Sequence, residues 1–216
     1  MDADLKKMRR SSDSFLTSIF ARSISIRLTP LVAKTSITPL QVTLFGLFIG
    51  LIAAWQASKA GWPNHLTAAL LLELSHVLDC IDGELARLTG RGNPFAAALD
   101  PITDRIKDIF FIFAAFVQSS YYSIFGMPDS SLFRLAFFAI GLWFLYMYIV
   151  DAYLNPARRK RLKGEGLLYV GLYDMFIYGA IAFLISNQFA YFNLYVIVLA
   201  SGGVVIQLVR LNKLFH

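Results

Sequence analysis

The sequence predicts an all-α membrane protein with six transmembrane helices, preceded by an N-terminal amphipathic helix in the membrane interface. Of the 216 residues, 57% are hydrophobic and only 16% are charged, and the mean hydropathy is +0.59. A soluble domain carries about 25% charged residues. Apolar stretches of roughly 20 residues recur along the chain, which is the length that a helix needs to cross about 30 Å of hydrocarbon. None of these stretches alternates with the period of a β-barrel strand.

Short turn-forming segments separate several of the predicted spans. Gly61-Trp62-Pro63-Asn64 and Ser186-Asn187-Gln188 interrupt the apolar pattern with residues that favour turns. The predicted spans are residues 40–57, 66–86, 106–125, 132–153, 168–186 and 189–209. We therefore expect residues 40–216 to form one six-helix domain.

Residues 1–39 differ from the rest of the chain because apolar and basic residues are mixed throughout. The apolar residues recur at helical spacing among Arg22, Arg27 and Lys34, and no continuous apolar core typical of a signal peptide is present. This pattern predicts a cytoplasmic juxtamembrane segment that lies in the interface. It could serve as an anchor alone, or it could also form a wall of the active site.

Basic residues are unevenly distributed between the predicted loops. Sixteen of the 20 Lys and Arg residues lie before residue 39, at positions 87 and 91, at 158–163 or at the C-terminus. The positive-inside rule then places both termini and the 87–93 loop in the cytoplasm. We expect a multi-pass protein of a bacterial or archaeal cytoplasmic membrane. Orientation and anionic lipids account for the net charge of +6, so no nucleic-acid partner is expected.

Four aspartates flank the 87–93 loop: Asp79, Asp82, Asp100 and Asp104. An ionised group at membrane depth costs about 2.5–3.5 kcal/mol on insertion scales, so such groups usually bind ions or substrate. Each pair is spaced to lie on one face of a helix. Asn93 is placed to cap the second helix, which must return antiparallel beside the first. The four carboxylates can therefore converge.

Converging carboxylates repel one another unless a cation lies among them. Oxygen ligands without Cys or His favour hard ions, so we expect Mg²⁺ or Mn²⁺, as two ions about 3.5–4 Å apart. Such ions usually share their coordination with substrate phosphates. The small residues Gly83 and Ala86, on the face of Asp79 and Asp82, would let a diphosphate approach the backbone.

The spacing of these residues resembles the signature of the CDP-alcohol phosphotransferase family. The matching order is Asp79-x2-Asp82-Gly83-x2-Ala86-Arg87-x8-Ala96-x3-Asp100-x3-Asp104, and Ala96 stands where the family has glycine. The resemblance implies an integral membrane enzyme of phospholipid biosynthesis that forms a homodimer. It would transfer a substituted phosphate from a CDP-linked alcohol to a second alcohol and release CMP.

The resemblance also implies roles for individual residues. Asp79, Asp82 and Asp100 would hold the divalent metals, and Asp104 would be a further ligand and the general base. The CDP-alcohol would be bound at Gly83, Ala86, Arg87 and Ala96. The loop after the fourth span opens on the same side, so Arg158 and Arg159 are candidates for phosphate contacts, and Asp151 and Asp174 for acceptor hydroxyls.

The substrates are less tightly constrained. The motif looks most like the inositol-phosphate phosphate synthase branch, whereas Leu99-Asp100-Pro101 is similar to phosphatidylglycerophosphate synthases. Fewer than 40 residues precede the first predicted span, so we expect CDP-diacylglycerol as donor, or a CDP-inositol made by a separate enzyme. Two other classes remain open: an aspartate-rich membrane prenyltransferase and a cation carrier.

Overall fold

The chain folds into helices throughout the residues that the structure, a computed structural model, describes: 14–150 and 171–215. No strand occurs in these two ranges. The helices are α1 (Phe15–Ile19), α2 (Ala21–Val32), α3 (Pro39–Ala57), α4 (Trp62–Thr89), α5 (Pro94–Tyr121), α6 (Asp129–Ile149), α7 (Leu172–Ile185) and α8 (Phe192–Phe215). Two short 3₁₀ turns, Ile124–Gly126 and Phe189–Tyr191, precede α6 and α8. The all-α prediction is confirmed.

Three apolar segments of the described chain are long enough to cross a membrane: Pro39–Ala57, Asp129–Ile149 and Phe189–Asn212. The apolar helix α7 is shorter. Helices α4 and α5 have 28 residues each, so each is about 42 Å long at 1.5 Å per residue. Each carries two of the four aspartates and further charged residues, which lowers its mean hydropathy. The structure thus supports a membrane protein, and the count of six spans stays a prediction.

Capping residues set where the helices of the site begin. Thr38 and Gln41 form a reciprocal capping box at the start of α3, with Pro39 as the first helical residue. Asn93 accepts a hydrogen bond from the backbone N–H of Ala96 at 2.8 Å, and α5 begins at Pro94. Both starts agree with the sequence prediction.

Helix α3 is the centre of the N-terminal half, because both α4 and α5 pack against it. Helix α4 also contacts α2 and α7, while α8 packs against α6 and α7. A large apolar core of alanines and aromatic rings joins α3 to α8, with the Trp143 and Phe176 ring centroids 4.4 Å apart. This core fixes the helices whose ends carry the aspartates.

The outer surface of the bundle is rich in large apolar side chains. Phe48 and Trp55 on α3, Phe137 on α6 and Val198 on α8 are each more than half exposed. Such a surface is costly in water and suits contact with lipid. It accords with the spans that length and composition indicate.

Helix α2 carries its polar residues towards the protein and its apolar residues outwards. Arg22, Ser25 and Thr29 are buried, whereas Ile24 and Leu28 are exposed. A helix on a soluble protein has the opposite arrangement. Helical structure at residues 15–32 matches the sequence prediction, and the location of these helices in the interface stays a prediction.

Candidate active site

Three of the four aspartates come together at one end of α4 and α5. One carboxylate oxygen each from Asp79, Asp82 and Asp100 lies within 4.8 Å of the others. Asp82 is buried, and the other two are partly exposed. Gly90 ends α4 with a left-handed φ of 67°. Helices α4 and α5 both pack against α3 and are not packed side by side along their lengths, so the predicted antiparallel packing of α5 beside α4 was wrong.

These three carboxylates fit a divalent cation. Two oxygens on opposite sides of a bound Mg²⁺ are about 4.2 Å apart, given Mg–O distances of about 2.1 Å, which is close to the span of the cluster. The donors are all oxygens, and burial among apolar helices makes three neighbouring negative charges unfavourable without a cation. The aspartate triad, which we define as Asp79, Asp82 and Asp100, could therefore hold a metal ion.

Thr43 on α3 orients one carboxylate of the triad. Its hydroxyl donates to Asp82 Oδ2 at 2.5 Å, and Thr43 itself is buried. Residues that hydrogen-bond to a metal ligand fix its orientation, and their loss commonly weakens metal binding by about 10–100-fold. Thr43 is not among the site residues that the sequence pattern predicts.

We expect Thr43→Val to weaken divalent-cation binding by about 10–100-fold while the fold is retained. Valine has nearly the shape of threonine but cannot donate a hydrogen bond to Asp82. The measurement is a titration of the purified protein with Mn²⁺, and Thr67→Val, whose exposed hydroxyl donates to the Pro63 carbonyl, is the matched control. Unchanged Mn²⁺ affinity would show that Asp82 does not depend on this bond.

Asp104, the fourth predicted ligand, is not one of the three aspartates of the triad and is paired with a lysine. The Lys107 ammonium lies 2.9 Å from Asp104 Oδ1, and both side chains are largely buried. One turn further, Asp108 accepts hydrogen bonds from Arg105 and from the Trp143 indole, each at 2.8 Å. The structure thus joins three of the four aspartates and pairs the fourth with a neighbouring cation.

The predicted CDP-alcohol residues lie beside the triad. The Arg87 guanidinium folds back over Gly83, so a Cβ added at Gly83 would lie 3.2 Å from a guanidinium nitrogen. Ala86 is one turn further along α4, and Ala96 is in the first turn of α5. Both are partly exposed. The absence of a side chain at Gly83 therefore makes room for the Arg87 guanidinium.

Glu84 lies between Asp82 and Arg87 and is fully buried, with 0% exposure. Its carboxylate forms an ion pair with Arg22 and accepts hydrogen bonds from the hydroxyls of Ser25 and Thr29. All three partners lie on α2. This polar joint, which we define as Glu84 with Arg22, Ser25 and Thr29, attaches α2 to α4.

Asp174, a predicted acceptor contact, is buried at the start of α7 and bonds to α1. Its Oδ1 accepts a hydrogen bond from the Thr17 hydroxyl at 2.9 Å, and its Oδ2 accepts one from the Thr17 backbone N–H at 3.2 Å. The same hydroxyl lies 3.1 Å from His76 Nε2, one turn before Asp79. The other predicted acceptor contacts, Asp151, Arg158 and Arg159, lie outside the described residues.

This chain matches one family model and is similar to several known proteins. The family model of the CDP-alcohol phosphatidyltransferases matches residues 36–206. An archaetidylinositol phosphate synthase from Pyrococcus horikoshii is 29% identical over 143 residues, which cover 65% of this chain and 64% of that protein. A bifunctional IPC transferase and DIPP synthase from Aquifex aeolicus is 33% identical over 106 residues, which cover 47% of this chain and 23% of that protein.

A solved structure shares the fold. The crystal structure of Mycobacterium tuberculosis phosphatidylinositol phosphate synthase with CDP-DAG bound superimposes with a TM-score of 0.56. The two chains are 18% identical, and the match covers 86% of this chain and 94% of that one. The chain spans less than two thirds of the length of the two curated relatives named above. The signature residues, the helical fold and the family match together show that this chain belongs to the CDP-alcohol phosphatidyltransferase family.

Proposed function

We propose that the protein transfers a phosphatidyl-type group from CDP-diacylglycerol to a polar alcohol and releases CMP, as a step of phospholipid biosynthesis. The observation that carries the proposal is the aspartate triad, whose oxygens from α4 and α5 lie within 4.8 Å of one another. The family match over residues 36–206 supports the same reaction class. The apolar outer surface supports a lipid donor.

The arrangement in the membrane is part of this proposal. Helices α3 to α8 form six spans, residues 1–39 are the juxtamembrane segment, and residues 40–216 are the catalytic domain. The end of the helix bundle that carries the aspartate triad faces the cytoplasm, as do both termini, following the positive-inside rule. We also propose a homodimer, for which exposed aromatic side chains such as Phe110 and Phe113 on α5 offer an apolar surface.

The residues of the chain divide the chemistry between them. The triad is proposed to hold Mg²⁺ or Mn²⁺, two ions in the complete site with Asp104 as a further ligand. A bound divalent cation supplies positive charge to the diphosphate of the donor. Arg87 adds charge to the leaving phosphate, and the small residues Gly83, Ala86 and Ala96 let the donor approach the helices.

Asp104 is proposed to remove the proton from the acceptor hydroxyl. Lys107 contacts its Oδ1, and we assign the proton transfer to Oδ2. A hydroxyl that attacks phosphorus depends mainly on positioning and charge stabilisation, so no Ser/His/Asp or Cys/His arrangement is required. Candidate contacts of the acceptor are Asp151, Arg158, Arg159 and Asp174.

The names of the relatives make an inositol phosphate the first acceptor to test. The Aquifex relative is named as a DIPP synthase, which favours a second candidate, a CDP-inositol donor with a soluble polyol acceptor. The two candidates differ in the donor. An assay that varies the donor therefore separates them.

The test is CMP release by the purified protein in detergent, with CDP-diacylglycerol or CDP-inositol as donor. Radiolabelled inositol phosphate, glycerol phosphate and serine serve as acceptors, each with Mg²⁺, with Mn²⁺ and with chelator. We expect CMP release that depends on CDP-diacylglycerol, on a divalent cation and on one acceptor. Release with CDP-inositol alone would select the second candidate, and no release with either donor would contradict the transferase assignment.

A further inference from the structure

Lys107 is a buried cation at the edge of the acidic site. Its side chain lies on α5, one turn after Asp104, and the residue is 8% exposed. The ammonium is 2.9 Å from Asp104 Oδ1, and the charges of Asp79 and Asp108 also act on it. Burial of an ammonium is costly unless it is paired, so this lysine requires its carboxylate partner.

A notch in α3 accommodates the lysine stem. A Cβ added at Gly50 would lie 2.7 Å from Lys107 Cδ and 2.9 Å from its Cγ, closer than real Cβ atoms approach other atoms. Ser75 of α4 borders the same notch, with its Oγ at 3.0 Å from that Cβ position. The route of Lys107 therefore depends on a missing side chain on a neighbouring helix, and the Lys107–Asp104 pair is built by three helices.

The pair also explains which aspartates converge. The oxygens of Asp79, Asp82 and Asp100 form the triad, and Asp104, at i+4 from Asp100 on the same helix, is paired with Lys107 instead. A fixed positive charge beside three carboxylates weakens the binding of any further cation there, because like charges repel strongly in an apolar environment.

We infer that Lys107 is a positioning residue that acts as an internal counter-ion: it holds Asp104 outside the triad and thereby weakens divalent-cation binding by the acidic site. The inference rests on the proposed metal site. Lys107 keeps the carboxylate of Asp104 oriented for proton transfer. In the absence of substrate, a divalent cation is therefore bound by the triad alone.

The test measures Mn²⁺ binding directly, by electron paramagnetic resonance of free Mn²⁺ in solutions of the purified full chain. Lys107→Met removes the charge and keeps a stem of similar length. We expect this variant to bind Mn²⁺ about tenfold more tightly, or to bind one more ion, because a repelling charge is lost and Asp104 is released. Lys107→Arg, which keeps the charge, should bind Mn²⁺ much as the unmodified protein does. Transfer by Lys107→Met should be slower.

A second variant tests the same prediction without removing the lysine. Gly50→Ala displaces the Lys107 stem and should strengthen Mn²⁺ binding in the same direction. Gly141→Ala on α6 is the matched control, because nothing lies within 4 Å of a Cβ added there. The Mn²⁺ affinity of Gly50→Ala tests the inference even if Lys107→Met does not fold.

Three results would overturn the inference. Equal or weaker Mn²⁺ binding by Lys107→Met and Gly50→Ala would overturn the inference about Lys107. The proposed metal site would still stand if the unmodified protein binds Mn²⁺ and Asp82→Ala does not. Equal tightening by Lys107→Arg and Lys107→Met would show that charge is not the cause. A lack of Mn²⁺ binding by the unmodified protein would overturn it together with the proposed metal site.

Discussion

Asp104→Asn is expected to lower transfer by about 10²–10⁴-fold while nucleotide binding stays measurable. Asparagine has the size of aspartate but cannot accept the proton of the acceptor hydroxyl. The aspartate triad does not include Asp104, so it keeps its three oxygens within 4.8 Å of one another. The measurement is CMP release in parallel with binding of a CDP-linked donor, with Asp129→Asn as control, since Asp129 is exposed at the start of α6.

Asp79→Ala should behave differently from Asp104→Asn, because it removes a member of the triad. We expect loss of metal binding and nucleotide binding together, so that neither donor binding nor CMP release is detected. The contrast between the two variants separates a ligand from a base. Retained turnover by Asp104→Asn would remove the assignment of Asp104 as the base.

Glu84→Ala is expected to have the largest effect on stability, a loss of about 3–5 kcal/mol in the free energy of unfolding. The substitution removes the carboxylate that faces the Arg22 guanidinium, which then stays buried beside α4. It also removes the acceptor of the Ser25 and Thr29 hydroxyls. The measurement is unfolding of the purified protein in detergent, followed by circular dichroism.

Two variants control this experiment. Glu73→Ala removes a partly buried carboxylate of the same helix, for which neither oxygen has a hydrogen-bond partner among the described residues, so it should cost little or stabilise the protein. Arg22→Met combined with Glu84→Leu replaces the ion pair by apolar groups and should recover most of the loss. A Glu84→Ala protein as stable as the unmodified one would show that the polar joint contributes nothing.

Local sequence signals were sufficient for the starts of α3 and α5 and for the convergence of three of the four aspartates. Asn93 followed by Pro94 specifies a helix N-terminus through backbone chemistry alone, and Thr38 with Gln41 specifies another. The spacing of Asp79 and Asp82 places both on one helix face. These features depend on residues that are close in sequence, so the pattern predicts them without knowledge of packing.

The contacts between distant helices could not be predicted in the same way. Thr43 reaches Asp82 because α3 packs along α4, and the stem of Lys107 on α5 lies against α3 where Gly50 leaves space for it. Both depend on helix rotation, which composition does not specify. A signal did exist for Glu84: an ionisable residue in an apolar helix requires a partner, and Arg22 is a basic residue of the juxtamembrane segment that could form a wall of the active site.

The reversed polarity of α2 constrains the order in which the chain can be assembled. Its inner side is satisfied by Glu84, a residue synthesised about 60 positions later than Arg22. Until α4 has been inserted, burial of the Arg22 guanidinium of α2 is unfavourable, although Ile24 and Leu28 already favour lipid. Although α2 is synthesised before α4, it can therefore dock only after α4 is inserted, and its docking reports that α4 is in place.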